Sequence, residues 1–348
     1  MGRKNKTYSK SLKQQAREKL ETMLKNGEGQ SKKEAIANGT ERDKIFSYNT
    51  YDTYRKHCDY FVDYVRKEHP ECTTLRSARK YANEWLEKRQ NQVNKKGEHL
   101  SAWTIQTEAK ALGKLYGITP DDPNYFKAPQ RHRQDIKRSR GDAVRDNHFS
   151  KTNNDEFIKF CQGTGCRRSI VGKLEGRDLF TKDEMVEKMV AYYRQGNLTE
   201  NEKKDMVNIV DAIGNFPDQE YFIHHRQDKG GRSRYSPIVG KNADRIIERM
   251  KDTPEREKVW QHVPTNADIH GYRGDYATTI YKAYARPIDE IPYDKVKGKT
   301  GIRYQSEVYV CRKDEAGKKL DKAAMLKASK ALGHNRLEVV ANNYIRGL

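Results

Sequence analysis

The stretch DIHGYRGDYATTIYKAYA, residues 268–285, reads as one helix. His270 stands three residues before Arg273, so both side chains share a helical face and can reach the same anion. The alternative for His270 is plain helix packing. Around this helix, from about residue 148 onward, helical and extended patterns mix. Helices are expected near residues 154–163, 183–195, 200–213, 242–251 and 321–333, and strands at EYFIHH (220–225), SRYSPIV (233–239) and YQSEVYVC (304–311). RQDKGGR joins the first two strands, and its Gly230 and Gly231 supply the positive φ angles of a tight hairpin turn. His224 and His225 are adjacent on a strand and so point to opposite faces.

Toward the N-terminus, residues 46–126 hold three helical patterns in succession. Tyr51, Tyr54, Cys58, Phe61 and Tyr64 fall at steps of three and four, the spacing of a buried stripe. A second helix is expected near 76–90 and a third over 101–117, with Ser101 as its N-cap. Residues 1–45 carry a helix at 9–24 and then a polar stretch, with 12 basic residues against 6 acidic ones. They read as a basic arm on a flexible connection, free to touch DNA or a neighbouring subunit, or to stand as an ordinary solvated helix. After the proline-broken GITPDDPNYFKAPQ, residues 127–147 read as a basic interdomain linker. Arg131, Arg133, Lys137, Arg138 and Arg140 there could lie along a phosphate backbone. The expected class is mainly α with a small β-sheet (α+β), a helical domain over 46–126 preceding a mixed α/β domain over 148–348.

The chain has 348 residues, with 69 lysines and arginines against 49 acidic residues, and its positive charges recur along the whole length. A formal charge of +20 points to an anionic partner, nucleic acid first, with a merely basic surface as the alternative. No apolar run approaches the roughly 18 residues that span a bilayer, and the opening MGRKNKTYSK lacks a signal-peptide core. A cytoplasmic, nucleoid-associated protein without membrane partners is expected. Five cysteines without a Cys-x-x-Cys pair indicate neither a disulfide framework nor a zinc site.

Cutting a DNA phosphodiester without a metal needs a nucleophile, cationic donors for the pentacoordinate transition state, and an acid for the departing 5′ oxygen. Arginine suits the phosphate positions because its planar fork donates bidentately and stays charged. Four stretches supply such a set in order: TGCRRSIVGKLEGRDL with Arg167, QDKGGRSRYSP with Lys229, HGYRGDYATTIY with His270 and Arg273, and LGHNRLEVVANNYI with His334 and Tyr344. Together they resemble the tyrosine recombinase (phage-integrase-like) family, whose catalytic domain carries an arginine box, a lysine hairpin, a His-x-x-Arg box and an LGH-to-tyrosine box. The resemblance spans residues 146–348, and the helical domain is similar to that family's SAM-like core-binding domain.

The resemblance implies a site-specific DNA recombinase that cleaves and rejoins DNA through a 3′-phosphotyrosine, with no metal, ATP or other cofactor. Arg167 and Arg273 would bind the nonbridging oxygens of the scissile phosphate, with Arg168 as the alternative for the first role. His270 would assist proton transfer at the tyrosine, Lys229 would protonate the 5′ oxygen, His334 would hydrogen-bond the phosphate, and Tyr344 would be the nucleophile. Arg232 and Arg234 on the hairpin read as phosphate or groove contacts. The implied partners are double-stranded recombination sites, a homotetramer on two such sites, and accessory DNA-bending or excision factors of a mobile element. Two other readings are an inactive sequence-specific DNA-binding protein and a type IB topoisomerase-like enzyme.

Three features depart from the family pattern. Ile170 stands where an acidic residue usually follows the first arginine by three positions. Stretches near 181–216 and 287–318 lengthen the intervals between boxes. Four residues follow Tyr344, so any exchange of segments between subunits would fall to the tyrosine helix or to those insertions.

Overall fold

The computed structural model describes residues 10–94, 97–132, 149–228, 231–291, 293–298, 301–312, 315–345 and 348, with the backbone alone over 293–298 and 301–306. The chain is mainly helical with small antiparallel sheets, and it divides into two compact units, Met1–Asp135 and Ile136–Leu348.

The first unit is built from α1 (Leu12–Gly27), α2 (Lys32–Ala37), α3 (Tyr48–Glu68), α4 (Leu75–Ala78), α5 (Ala82–Asn91) and α6 (Ala102–Tyr116). On α3, Tyr51, Cys58 and Phe61 are buried and Tyr54 and Tyr64 pack beside them, as the aromatic stripe predicts. Ser101 caps α6, its hydroxyl accepting from the Thr104 amide at 3.2 Å. Gly117 ends that helix in the left-handed region.

The expected detached arm is corrected by this core. Leu12, Ala16, Leu20 and Met23 of α1 are buried in the same cluster as Phe61, Val62 and Val65 of α3. Their spacing of three and four residues forms one apolar face, and Lys13, Arg17, Lys19 and Lys25 lie outside it. The polar stretch after α1 is also fastened, because the Ile45 amide donates to the Met23 carbonyl at 2.7 Å.

The second unit opens with α7 (Asp155–Thr164), α8 (Arg168–Val171), β1 (Leu179–Thr181), α9 (Lys182–Gln195) and α10 (Glu200–Asn215). It continues with β2 (Tyr221–Asp228), β3 (Arg232–Pro237), α11 (Ala243–Asp252) and α12 (Ile269–Tyr284). After these come β4 (Tyr293–Gly298), β5 (Gly301–Ser306), β6 (Val308–Val310), β7 (Lys319–Asp321), α13 (Lys322–Ala331) and α14 (Leu337–Asn343). β1, β2 and β3 form an antiparallel sheet in that order, while β4 pairs with β5 and β6 with β7. The β2–β3 hairpin forms as expected, with Gly231 at φ 72°; Gly230 lies outside the described residues. The single strand expected at 304–311 is instead divided between β5 and β6.

The stretch near 181–216 belongs to the core. Met185 of α9, Ile209 and Ala212 of α10, and Phe216 pack in one cluster with Ala277 and Ile280 of α12 and Val340 and Tyr344 near the C-terminal end. Among the described residues, no helix is long and apolar enough to cross a membrane.

Leu20→Ala tests the placement of α1. Truncating a side chain with no exposed surface costs about 2–4 kcal/mol. The expected result is a lower urea midpoint for the helical unit, whereas a detached arm would leave its unfolding free energy within about 0.5 kcal/mol of wild type.

Candidate active site

The site grows from the start of α12. The Asp268 carboxylate caps this helix by accepting from the Gly271 amide at 3.0 Å, which places His270 and Arg273 in its first turn. Arg273 is buried, at 2% exposure, so its guanidinium needs acceptors inside the protein. It finds two: Nη1 donates to the Gly165 carbonyl, and Nη2 donates to the Leu332 carbonyl at 3.1 Å.

Each carbonyl is delivered by a glycine-dependent turn. Gly165 ends α7 at φ 58°, and a Cβ there would stand 2.2 Å from Cδ1 of the buried Tyr276 ring. Gly333, at φ 71°, lets the chain turn after α13, and a Cβ there would stand 2.7 Å from Arg234 Cδ. That turn presents the Leu332 carbonyl to Arg273, and to Arg167 Nη2 at 3.5 Å, the edge of hydrogen-bond range. His334 follows, its amide bonded to the Ser329 carbonyl at 2.8 Å.

Tyr344 caps α14 and is itself buried, its neighbours Val340, Ala341 and Ile345 packing into the same unit's core. His334 Nε2 lies 3.2 Å from Tyr344 Oη. The His270 ring centroid is 5.1 Å from that of Tyr344, and Arg273 Cζ is 5.6 Å from it. The segment that carries the tyrosine is thus held by its own chain. A hydrogen bond joins the phenol to His334, the histidine that the family resemblance assigns to the phosphate.

Charge shapes this cluster. Burial, together with the Arg273, Arg167 and Arg234 guanidiniums, pushes the His334 pKa down to about 4, so the ring is neutral at pH 7. Burial and the neighbouring Arg234 and Arg167 cations push Arg273 down to about 10, still charged at pH 7.

Arg234, expected as a phosphate or groove contact, is 8% exposed and lines part of a groove beside the cluster. In the hairpin it pairs across from His225, on the buried face. Its Nε donates to Asp228 Oδ2 at 3.1 Å, Nη1 to the Ala331 carbonyl and Nη2 to His225 Nδ1 at 3.1 Å. Because arginine has only donors, His225 Nδ1 is the acceptor, so His225 Nε2 carries the proton and donates to Ser236 Oγ at 2.6 Å. Burial and the Arg234 cation hold that ring far below the usual histidine pKa. His224, as expected, takes the other face, stacked on the Tyr235 ring at 4.4 Å.

Asp228 also pairs with Arg167, which caps α8 with an extended backbone. Arg168, the alternative for the first arginine, donates to the carbonyls of Pro264, Thr265 and Ala267 and so fastens the loop before α12. Arg232 is exposed at the start of β3. Arg131, in the helical unit, lies with Cζ 5.4 Å from the Trp103 ring centroid. Lys229, Arg133, Lys137, Arg138 and Arg140 lie outside the described residues.

Beside the cluster opens a groove of about 550 Å³ whose wall includes Arg167, Arg232, Lys330, His334 and Arg336. Asn208 and Asp211 of α10 form part of its rim, and Asp211 holds Lys330 through both oxygens at 2.9 Å. No group of histidine, cysteine and acidic side chains able to hold a metal ion occurs among the described residues.

No protein-family profile matches the chain, and no curated protein sequence matches it significantly.

The His334 environment has a direct readout. An NMR titration of its ring should give a midpoint near 4, against about 6.5 for an unperturbed histidine. Because the unfolded chain binds this proton first, stability falls as pH drops from about 6.5 through about 4. A midpoint near 6.5 would show that the cationic, half-buried environment is absent.

Proposed function

We propose that the chain is a tyrosine recombinase-type DNA strand transferase. The observation that supports this best is the buried phenol of Tyr344 hydrogen-bonded to a neutral His334, beside the Arg273 guanidinium and a cationic groove.

In this reading a phosphodiester enters the groove with its nonbridging oxygens toward Arg167 and Arg273. Each guanidinium has five N–H donors, so carbonyl bonds that fix its plane leave others for the phosphate. Tyr344 Oη attacks phosphorus as its proton passes to His334 Nε2, the ring nitrogen 3.2 Å away. The new bond joins Oη to phosphorus. The bond to the 5′ oxygen breaks, and that oxygen leaves as a hydroxyl on taking a proton from Lys229. His270, its ring centroid 5.1 Å from that of Tyr344, stands close enough to assist proton transfer at the phenol. The 3′-phosphotyrosine conserves the phosphodiester bond energy, so another 5′ hydroxyl can reverse the reaction and exchange strands without ATP.

The first unit takes the part of a core-binding domain and the second that of the catalytic domain. The partners are duplex recombination sites, on two of which four copies assemble for integration or excision of a mobile element, with accessory factors directing the outcome. Such work places the protein with the nucleoid.

Nicked suicide duplexes from the ends of the element that encodes the chain test this. Wild type should form a denaturant-resistant protein–DNA adduct, unchanged by EDTA, and Tyr344→Phe should form none. Arg273→Ala should slow adduct formation by about 10²–10³-fold. Duplex binding without any adduct, or an adduct abolished by EDTA, would overturn the mechanism.

A further inference from the structure

The strand that ends at the hairpin contributes a group the mechanism above does not use. Asp228, at the end of β2, is 5% exposed and pairs with both Arg167 and Arg234. These two guanidiniums and that of Arg273 gather around the turn after α13, donating to the carbonyls of Ala331 and Leu332. Like charges so close and so dry repel strongly, and carbonyl dipoles offset only part of that repulsion. Arg234 is committed to the interior through Asp228, His225 and the Ala331 carbonyl. Arg167, with its side chain 20% exposed, keeps one edge toward the groove. A single carboxylate therefore ties the more buried, fully engaged arginine to the more exposed one in the groove's wall.

We propose that Asp228 is the positioning residue for Arg167: its carboxylate, anchored on the buried Arg234, holds the Arg167 guanidinium toward the phosphate groove. The inference rests on the strand-transfer reading of the site. The local sequence has no other means of doing this on α8, since Ile170, three residues after Arg167, is apolar and buried among Phe157, Val171 and Leu174. The same arrangement leaves the cluster cationic, which suits a phosphate gaining charge as it becomes pentacoordinate. Asp228 is 5% exposed and ion-paired with Arg167, so its effect passes through the arginine.

Single-turnover cleavage of the suicide duplex tests this, with an ordinary scissile phosphate and with a methylphosphonate that replaces one nonbridging oxygen and removes its charge. On the ordinary phosphate Asp228→Asn should cleave about 10²-fold more slowly than wild type, with duplex affinity within about twofold, and Asp228→Glu should recover part of the rate. On one methylphosphonate stereoisomer, the one in which the oxygen facing Arg167 is replaced, the defect should shrink to about threefold, and Arg167→Ala should be rescued on that same isomer. A merely structural role would slow both substrates equally, and that result overturns the proposal, as does an unchanged rate for Asp228→Asn on the phosphate. If Asp228→Asn loses its cooperative melt, the double variant Asp228→Asn/Arg234→Met, which removes both buried charges together, is read by the same criteria. A wild-type protein that forms no adduct overturns the strand-transfer reading and this inference with it. A wild-type adduct with no difference for Asp228→Asn overturns only the inference.

Discussion

The buried guanidinium of Arg273 constrains everything around it. A permanent charge at 2% exposure persists only if the chain brings acceptors to it, and two distant turns do so through the carbonyls of Gly165 and Leu332. These bonds join the end of α7, the first turn of α12 and the turn after α13. The glycines at 165 and 333 follow from the same need, because a Cβ at either would strike Tyr276 or Arg234. Once the second turn is in place, His334 faces the end of α14, where the packing of Val340, Ala341 and Ile345 delivers Tyr344.

Concentrated positive charge then governs the chemistry available. Arg273, Arg167 and Arg234 discourage a further proton on His334, leaving a neutral imidazole in contact with a phenol that is weakly nucleophilic while protonated. Asp228 is the counterweight, binding two of the three arginines. The polar groups form two layers. Arg234, His225 and Ser236 satisfy one another in the interior, while Arg167, His334 and Tyr344 border the groove or stand next to it.

Much of this was legible in the residues. His270 and Arg273 share a face because helical spacing demands it, while His334 and Tyr344 were singled out by the family resemblance of the LGH-to-tyrosine stretch. Ser101 as a cap, the α3 stripe and the opposed faces of His224 and His225 follow equally from local rules. What local rules missed depends on tertiary partners. Arg234 sits on a basic hairpin that reads as solvated, yet cross-strand pairing with His225 turns it inward. Asp228 became significant only through the register shift after His225 and the approach of α8. The apolar face of α1 was present in the sequence, but the polar connection after it gave no sign that it packs on α3. Likewise α9 and α10 were legible as helices, while their place in the core beside Tyr344 required the fold.

The central claim is that one chain assembles a nucleophilic site on Tyr344, and mass mapping of the covalent product tests it most directly. Wild-type protein trapped on a suicide duplex is denatured, digested with protease and nuclease, and its peptides are sequenced by mass spectrometry. The account predicts a 3′-phosphonucleotide on Tyr344 alone. Its presence on any other residue, with Tyr344 unmodified, would contradict the account.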